Sequence, residues 1–381
     1  MRISLYIHIP FCLQKCLYCD FASSADATVG HEEYATAVIR EMELRARALP
    51  GQVEATTLYF GGGTPSLLAP QLISNLIDAA ARLFSLTSEA EIALEANPGT
   101  VTGEKLAGYG LAGVNRLSLG VQSFDDRMLA LLGRIHTAQQ AREAVTLARE
   151  SGFSNLGIDL IHSLPGQSVK EWEGVLRQAA ALQPDHVSAY GLSVEEGTPF
   201  HALMERGEVM LPDQETAAEM ICATMDLLAS HGYEQYEIAN FAKPGRRSRH
   251  NQVYWRRGSY LGFGAAAHSF LREPEFGRRW HNPVDLSDYF SRVTLGELPA
   301  QDEMMLSRRE AMEETLFLGL RLLEGVSTEA FEREFSEPIS GVFPGVIEKY
   351  LSNGLLAESN GNVCLTRKGL LLANQVFTDF V

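Results

Sequence analysis

The chain has 381 residues, 45% of them hydrophobic and 21% charged, with a formal net charge of −16. That length suits about two domains, or one large barrel with an appendage, and buries a core without disulfide staples. The negative charge excludes a broad nucleic-acid or anionic-membrane footprint, and no apolar run is long enough for a transmembrane helix.

The opening segment, Met1 to Cys12, has too short an apolar stretch for a signal peptide and reads as a strand. Strand-like runs follow one another at Ser4–Ile9, Thr56–Phe60, Glu91–Glu95, Arg116–Val121, Leu156–Ile161 and His186–Leu192. Helical patterns lie between them, with apolar stripes at Tyr34, Val38, Ile39 and Met42 and at Leu72, Ile73, Leu76, Ile77 and Leu83. Thr137 with Gln140, and Ser168 with Glu171, read as capping boxes, and Gly152 stands where a left-handed helix end would fall. Six strand–helix units in series predict an α/β fold. Right-handed crossovers curl its parallel sheet into a partial (β/α)6 TIM-like barrel over residues 1–200; an open doubly wound sheet is the alternative.

Gly, Pro and polar residues gather at the carboxyl end of each predicted strand, where parallel α/β folds place their sites. They include Cys12, Gly61-Gly62-Gly63-Thr64, Glu95, Gln122, Leu164-Pro165-Gly166 and Glu195-Glu196. Residues 201–304 are mixed and rich in aromatic residues, Arg and Gly. Residues 305–381 read as a small α+β unit, winged-helix-like, with helices at Met312–Leu323 and Gly341–Leu351. Asn360-Gly361 marks a type I′ hairpin there. In so acidic a chain that unit is expected to serve packing or a protein contact, not DNA.

Of five cysteines, three crowd into Cys12-x3-Cys16-x2-Cys19; Cys222 and Cys364 lie far away and read as small core residues. The odd count and the crowding point to a reducing cytoplasm and a metal site. Three thiolates hold three irons of a [4Fe–4S] cube and leave the fourth open; zinc with a further ligand such as His8 is the alternative.

This thiol spacing, with the glycine triplet after the next strand, resembles the radical S-adenosylmethionine (SAM) superfamily. Phe60–Ser66, Glu95–Thr100, Asn115–Asp126, Asp159–Gln167 and Ser188–Phe200 are similar to one branch, the oxygen-independent coproporphyrinogen III oxidase-like family. The resemblance implies a SAM-ligated [4Fe–4S] cluster on Cys12, Cys16 and Cys19. It implies SAM contacts at Tyr6, Tyr18, Gly62, Gly63, Thr64, Glu95, Gln122, Arg134 and Asp159. His162-Ser163 depart from the family's usual Tyr-Gly.

Within that family two features argue against the oxidase itself. Phe21 stands where oxidases carry a further Cys, and the first thiol is already residue 12. His250-Asn251-Gln252-Val253-Tyr254-Trp255 is similar to the heme-binding segment of the family's heme-chaperone branch. The resemblance implies heme iron on His250, a macrocycle against Tyr254 and Trp255, and transfer of heme to an acceptor hemoprotein. His268 and His281 are reserve ligands, and Lys243, Arg246, Arg247 and Arg249 are candidate partners for the heme carboxylates. A radical SAM enzyme acting on a porphyrin is the alternative function.

Overall fold

The computed structural model describes residues 1–25 and 29–380. Six parallel strands follow the sequence order: β1 (Arg2–Ile9), β2 (Glu54–Gly62), β3 (Glu91–Ala96), β4 (Arg116–Gln122), β5 (Leu156–His162) and β6 (His186–Gly191). Each predicted strand lies within two residues of an observed one. The sheet stays open, and residues of the middle segment extend it at both edges. At the far side β8 (Asn240–Ala242) pairs antiparallel with β6, and β7 (Glu234–Gln235) pairs with β8. At the near side β9 (Tyr260–Phe263) pairs parallel with β1; β10 (His268–Leu271), β11 (Arg278–His281) and β12 (Gln301–Met305) follow antiparallel. The result is a partial barrel whose sheet runs β12-β11-β10-β9-β1-β2-β3-β4-β5-β6-β8-β7. The strands of residues 234–305 therefore extend the barrel sheet, while the helices Gln214–Ser230 and Leu286–Leu295 pack on Val169–Ala181 and His31–Ala48.

Alternation along the strands makes the two faces chemically different. Ile3, Leu5, Ile7 and Ile9 of β1, and Leu117, Leu119 and Val121 of β4, are buried on the outer face. The helices that cover them include His31–Ala48, Pro70–Phe84, Ala138–Glu150 and Val169–Ala181. Burying each such side chain is worth about 1.5–3 kcal/mol. The positions between them, Ser4, Tyr6 and His8 or Arg116, Ser118 and Gln122, turn inward by the two-residue period of a strand. A concave polar surface follows directly.

Both capping boxes form, with Thr137 accepting from Gln140 N and Ser168 from Glu171 N. Gly152 takes φ +92° at the helix end. Ser163 adopts φ +57°, and its hydroxyl lies 2.9 Å from Nδ1 of the buried His162.

After the helix Arg308–Gly319 come β13 (Val326–Ser327), the helices Thr328–Phe335 and Pro344–Ser352, and the hairpin β14 (Leu356–Ser359) and β15 (Asn362–Leu365). The small sheet runs β13-β15-β14, a winged-helix arrangement, and Asn360 and Gly361 turn the hairpin at φ +52° and +76°. Buried Arg257 ties this unit to the barrel through Glu314 at 3.3 Å and Glu334 at 3.2 Å. Among the described residues no helix is long and apolar enough to cross a membrane.

Candidate functional site

The thiol loop is built onto the tips of β1 and β2. Gly63 N donates to Ile9 O and Thr64 N to Phe11 O, both at 2.8 Å, so the glycine triplet is zipped to the chain entering the loop. A Cβ on Gly63 would lie 2.6 Å from Phe11 O and 3.1 Å from Cys12 Sγ; only glycine fits. Gly62 takes φ +109°, and a Cβ there would strike the His8 ring at 2.5 Å. The far side of the loop is held by Leu17 N on Leu132 O at 3.1 Å and Gln14 Nε2 on Gly133 O at 3.1 Å. Arg134 bridges loop and barrel, with Nη1 3.3 Å from Cys16 Sγ and Nη2 2.6 Å from Gly120 O.

Cys12, Cys16 and Cys19 face one cavity of about 550 Å³ on the concave surface. Its wall brings together Tyr18, Gly62, Gly63 and Thr64 with Glu95, Gln122, Arg134 and Asp159. Gln122 reaches it from a β-bulge at the end of β4, with φ +65°. Tyr6 is the exception among the residues expected here: it lines a second cavity beyond the wall. Arg134 Nε is buried in the wall with no hydrogen-bond partner.

Two carboxylates sit deep in this cavity. Burial pushes Glu95 up to about 7, opposed by the bond from Tyr59 Oη at 2.7 Å and reinforced by the charge of Asp159. Burial also raises Asp159, opposed by hydroxyl bonds from Ser188 and Ser118, the latter at 3.0 Å. Tyr59, Ser118 and Ser188 did not stand out in the sequence. Their signal was the alternation that sends every second residue of β2, β4 and β6 inward.

The second cavity, about 450 Å³, opens between β1, β9–β11, the helix Arg249–Trp255 and the helix Arg308–Gly319. A wall of aromatic rings divides it from the first. Tyr6 stacks on Tyr59 with centroids 6.2 Å apart, and Tyr59 stacks on His250 at 4.9 Å. Gly61 makes room for them, since a Cβ there would come within 3.0 Å of both tyrosine rings.

Tyr254 and Trp255 line the second cavity, as an apolar face for a macrocycle requires. His250 does not present a free nitrogen to it. Its Nδ1 lies 2.7 Å from Thr57 Oγ1 and its Nε2 2.7 Å from Tyr254 Oη. The Thr57 hydroxyl donates to Ser4 Oγ at 2.8 Å, so Nδ1 carries the imidazole proton and the Nε2 lone pair accepts from Tyr254. Burial holds His250 down to about 3, and Glu91 fixes the helix start by accepting from His250 N at 3.0 Å and Arg249 N at 3.1 Å. In this structure both His250 nitrogens have protein partners.

The basic cluster is also elsewhere. Arg246 faces Asp185 at 3.9 Å, Arg247 pairs with Glu234 at 3.3 Å, and Arg249 donates to Glu89 O at 2.6 Å. Lys243 lies over the Tyr233 ring at 5.7 Å. Asp185 and Glu89 precede β6 and β3, so these cations sit at the amino ends of the strands, away from the thiols.

A thiol loop at the carboxyl end of a partial parallel barrel, zipped to a glycine-rich strand tip, defines the radical SAM class. The family model "Radical SAM superfamily" matches residues 6–179, and "HemN C-terminal domain" matches residues 306–372. The heme chaperone HemW of Bacillus subtilis is 40% identical over 99% of both chains. That of Escherichia coli is 42% identical over 72% of this chain and 71% of its own. In fold the chain is similar to coproporphyrinogen III oxidase (HemN) from Escherichia coli, with a TM-score of 0.83 at 24% identity over 99% of this chain and 89% of that one. The chain belongs to the HemW family of radical SAM proteins. Membership brings the superfamily's cofactors, a [4Fe–4S] cluster and SAM, and the all-thiol donor set with its glycine cradle fits them.

Proposed function

We propose that this protein binds heme and passes it to an acceptor hemoprotein, in the cytoplasm, on a scaffold that holds a [4Fe–4S] cluster and SAM. The observation that carries the reading is the adjacency of two cavities: the thiol loop faces one, and Tyr254 and Trp255 line the other, across a wall of stacked rings. Full-length likeness to proteins named as heme chaperones supports it.

In this reading Cys12, Cys16 and Cys19 hold three irons, and Arg134 sets a positive charge against that anionic group. Bound together, cluster and SAM supply reductive radical chemistry. The Gly62 and Gly63 backbone lets a methionine amine approach, and Thr64 adds a hydroxyl. Glu95 and Asp159 accept from ribose hydroxyls, Gln122 donates and accepts at the strand end, and Tyr18 packs against the adenine. Tyr6 acts from behind the wall, through Tyr59. Tyr254 and Trp255 present flat apolar surfaces to heme, and His250 braces Tyr254.

The test is titration of anaerobically prepared full-length protein with ferric heme, followed by mixing with a heme-free b-type cytochrome. The expected result is saturable binding of one heme per chain and its transfer. Absence of saturable binding overturns the reading. Turnover of coproporphyrinogen III with release of carbon dioxide would favour an oxidase instead.

A further inference from the structure

The first cavity runs deeper than the residues expected to meet SAM. A strand rises about 3.3 Å per residue, so Arg116 at the start of β4 lies roughly 20 Å below Gln122 at its end. Gln122 and Arg134 stand beside the thiols, whereas Arg116, Ser118, His186, Ser248 and Asn251 line the lower end and are not among the expected SAM contacts. Register sets Ser118 of β4 beside Gly157 of β5, and Gly157 beside His186 of β6. A Cβ on Gly157 would lie 3.1 Å from Ser118 Oγ and 3.6 Å from His186 Nδ1, so the missing side chain leaves a gap between a hydroxyl and an imidazole.

The groups around that gap are unevenly satisfied. Ser248 N donates to Tyr236 Oη at 3.3 Å, and the same oxygen lies 2.9 Å from His186 Nε2. Among the described residues the phenol has no other acceptor, so it donates to Nε2 and the imidazole proton sits on Nδ1. That nitrogen is buried with no hydrogen-bond partner. Burial, and then the charge of Arg116, hold His186 well below the ordinary histidine value, so the ring is neutral. Among the described residues the Asn251 carboxamide also has no partner; only its backbone N–H is bonded, to Ser248 Oγ at 3.2 Å. The acceptor nearby is Asp159, which takes the Ser118 hydroxyl at 3.0 Å. Arg116 is matched by Glu91 at 3.9 Å and donates to Asn155 Oδ1 and Arg246 O, so this end offers no uncompensated cation.

We infer that the lower end of the first cavity binds a neutral, compact polyol, with one hydroxyl over Gly157. A hydroxyl accepts from His186 Nδ1–H and donates to Asp159, which neither a pure donor nor a pure acceptor does, and Asn251 serves a second hydroxyl. An anion is refused, because it would meet the Asp159 carboxylate with no free cation to offset it. The helix Arg249–Trp255 then serves two ligands, with Asn251 facing this cavity and Tyr254 and Trp255 the other. The inference rests on the SAM reading for the upper boundary of the site and is independent of heme. No bond is made or broken on binding.

The experiment titrates full-length, cluster-reconstituted protein with D-ribose and with D-ribonate by calorimetry, each with and without saturating SAM. Nuclear magnetic resonance of isotope-labelled histidine follows the His186 Nδ1 signal, identified by its loss in His186→Gln. The expected result is a single saturable ribose site that SAM leaves in place, a shift of the His186 signal, and no binding of ribonate. Gly157→Ala, which fills the gap, and Asn251→Ala should each weaken ribose binding roughly tenfold, with SAM affinity and thermal unfolding unchanged. Absence of saturable ribose binding, displacement of ribose by SAM, or wild-type ribose affinity in both variants overturns the inference. Parallel loss of SAM and ribose affinity also overturns it, since the lower residues would then belong to the SAM site. Heme titration depends on none of these outcomes, so a failure here leaves the heme-binding proposal standing.

Discussion

Tyr59 lies nearly parallel to His250, centroids 4.9 Å apart at 24°, while its hydroxyl reaches Glu95 at 2.7 Å in the neighbouring cavity. One side chain thus belongs to both sites: its ring supports the helix that carries Tyr254, and its hydroxyl stabilises the Glu95 carboxylate against burial.

Tyr59→Phe separates these roles, because it keeps the ring and removes only the donor. Leaving a buried carboxylate one bond short costs about 1–3 kcal/mol. SAM affinity, measured by equilibrium dialysis on reconstituted protein, should fall roughly tenfold, with heme affinity held. Equal loss of both ligands would show that the stack itself had collapsed.

Gly63→Ala tests the cradle. The new methyl would meet Phe11 O at 2.6 Å and Ile9 O at 2.9 Å, both backbone atoms that cannot swing aside. Such overpacking costs about 1–3 kcal/mol and displaces the loop beside Cys12. Iron and sulfide retained after anaerobic reconstitution should fall sharply, with the barrel still folded by circular dichroism. Cys222→Ala and Cys364→Ala should leave iron content unchanged; a loss there would contradict the three-thiol assignment.

Glu41 gives a pH dependence away from both cavities. It is buried among Gly264 N, Asn282 Nδ2 and Tyr289 Oη, and burial pushes it from 4.5 up to about 7. The folded state therefore holds this proton more tightly than the unfolded chain. Its contribution is complete below pH 4.5 and is lost as pH rises through about 7. The change is on the order of 3 kcal/mol. Urea unfolding across that window should show a shallower fall in stability for Glu41→Gln than for wild type; identical slopes would contradict the shifted carboxyl.

Much of this was legible in the sequence because it is local. Capping boxes, the Asn360-Gly361 turn and the thiol spacing are settled within a few residues, and the six parallel strands announce themselves as apolar runs between helices. The short strands of residues 234–305 did not, since two to five residues carry little periodicity and their pairing with β6 and β1 is long-range. The fate of His250 was equally hidden. Its partner Thr57 lies 193 residues away, and only the folded barrel shows that the imidazole is consumed by the wall. The place of Tyr6 was hidden for a related reason: its motif sits beside the thiols in sequence, yet its ring stacks on Tyr59 and lines the second cavity.

The central claim is that cluster and heme occupy different cavities of one partial barrel. Heme titration of wild type beside a Cys12→Ala/Cys16→Ala/Cys19→Ala variant tests it most directly. The account predicts one heme per chain with the same Soret position in both, the variant lacking only iron–sulfur absorption. Loss of heme binding with the three thiols would contradict it.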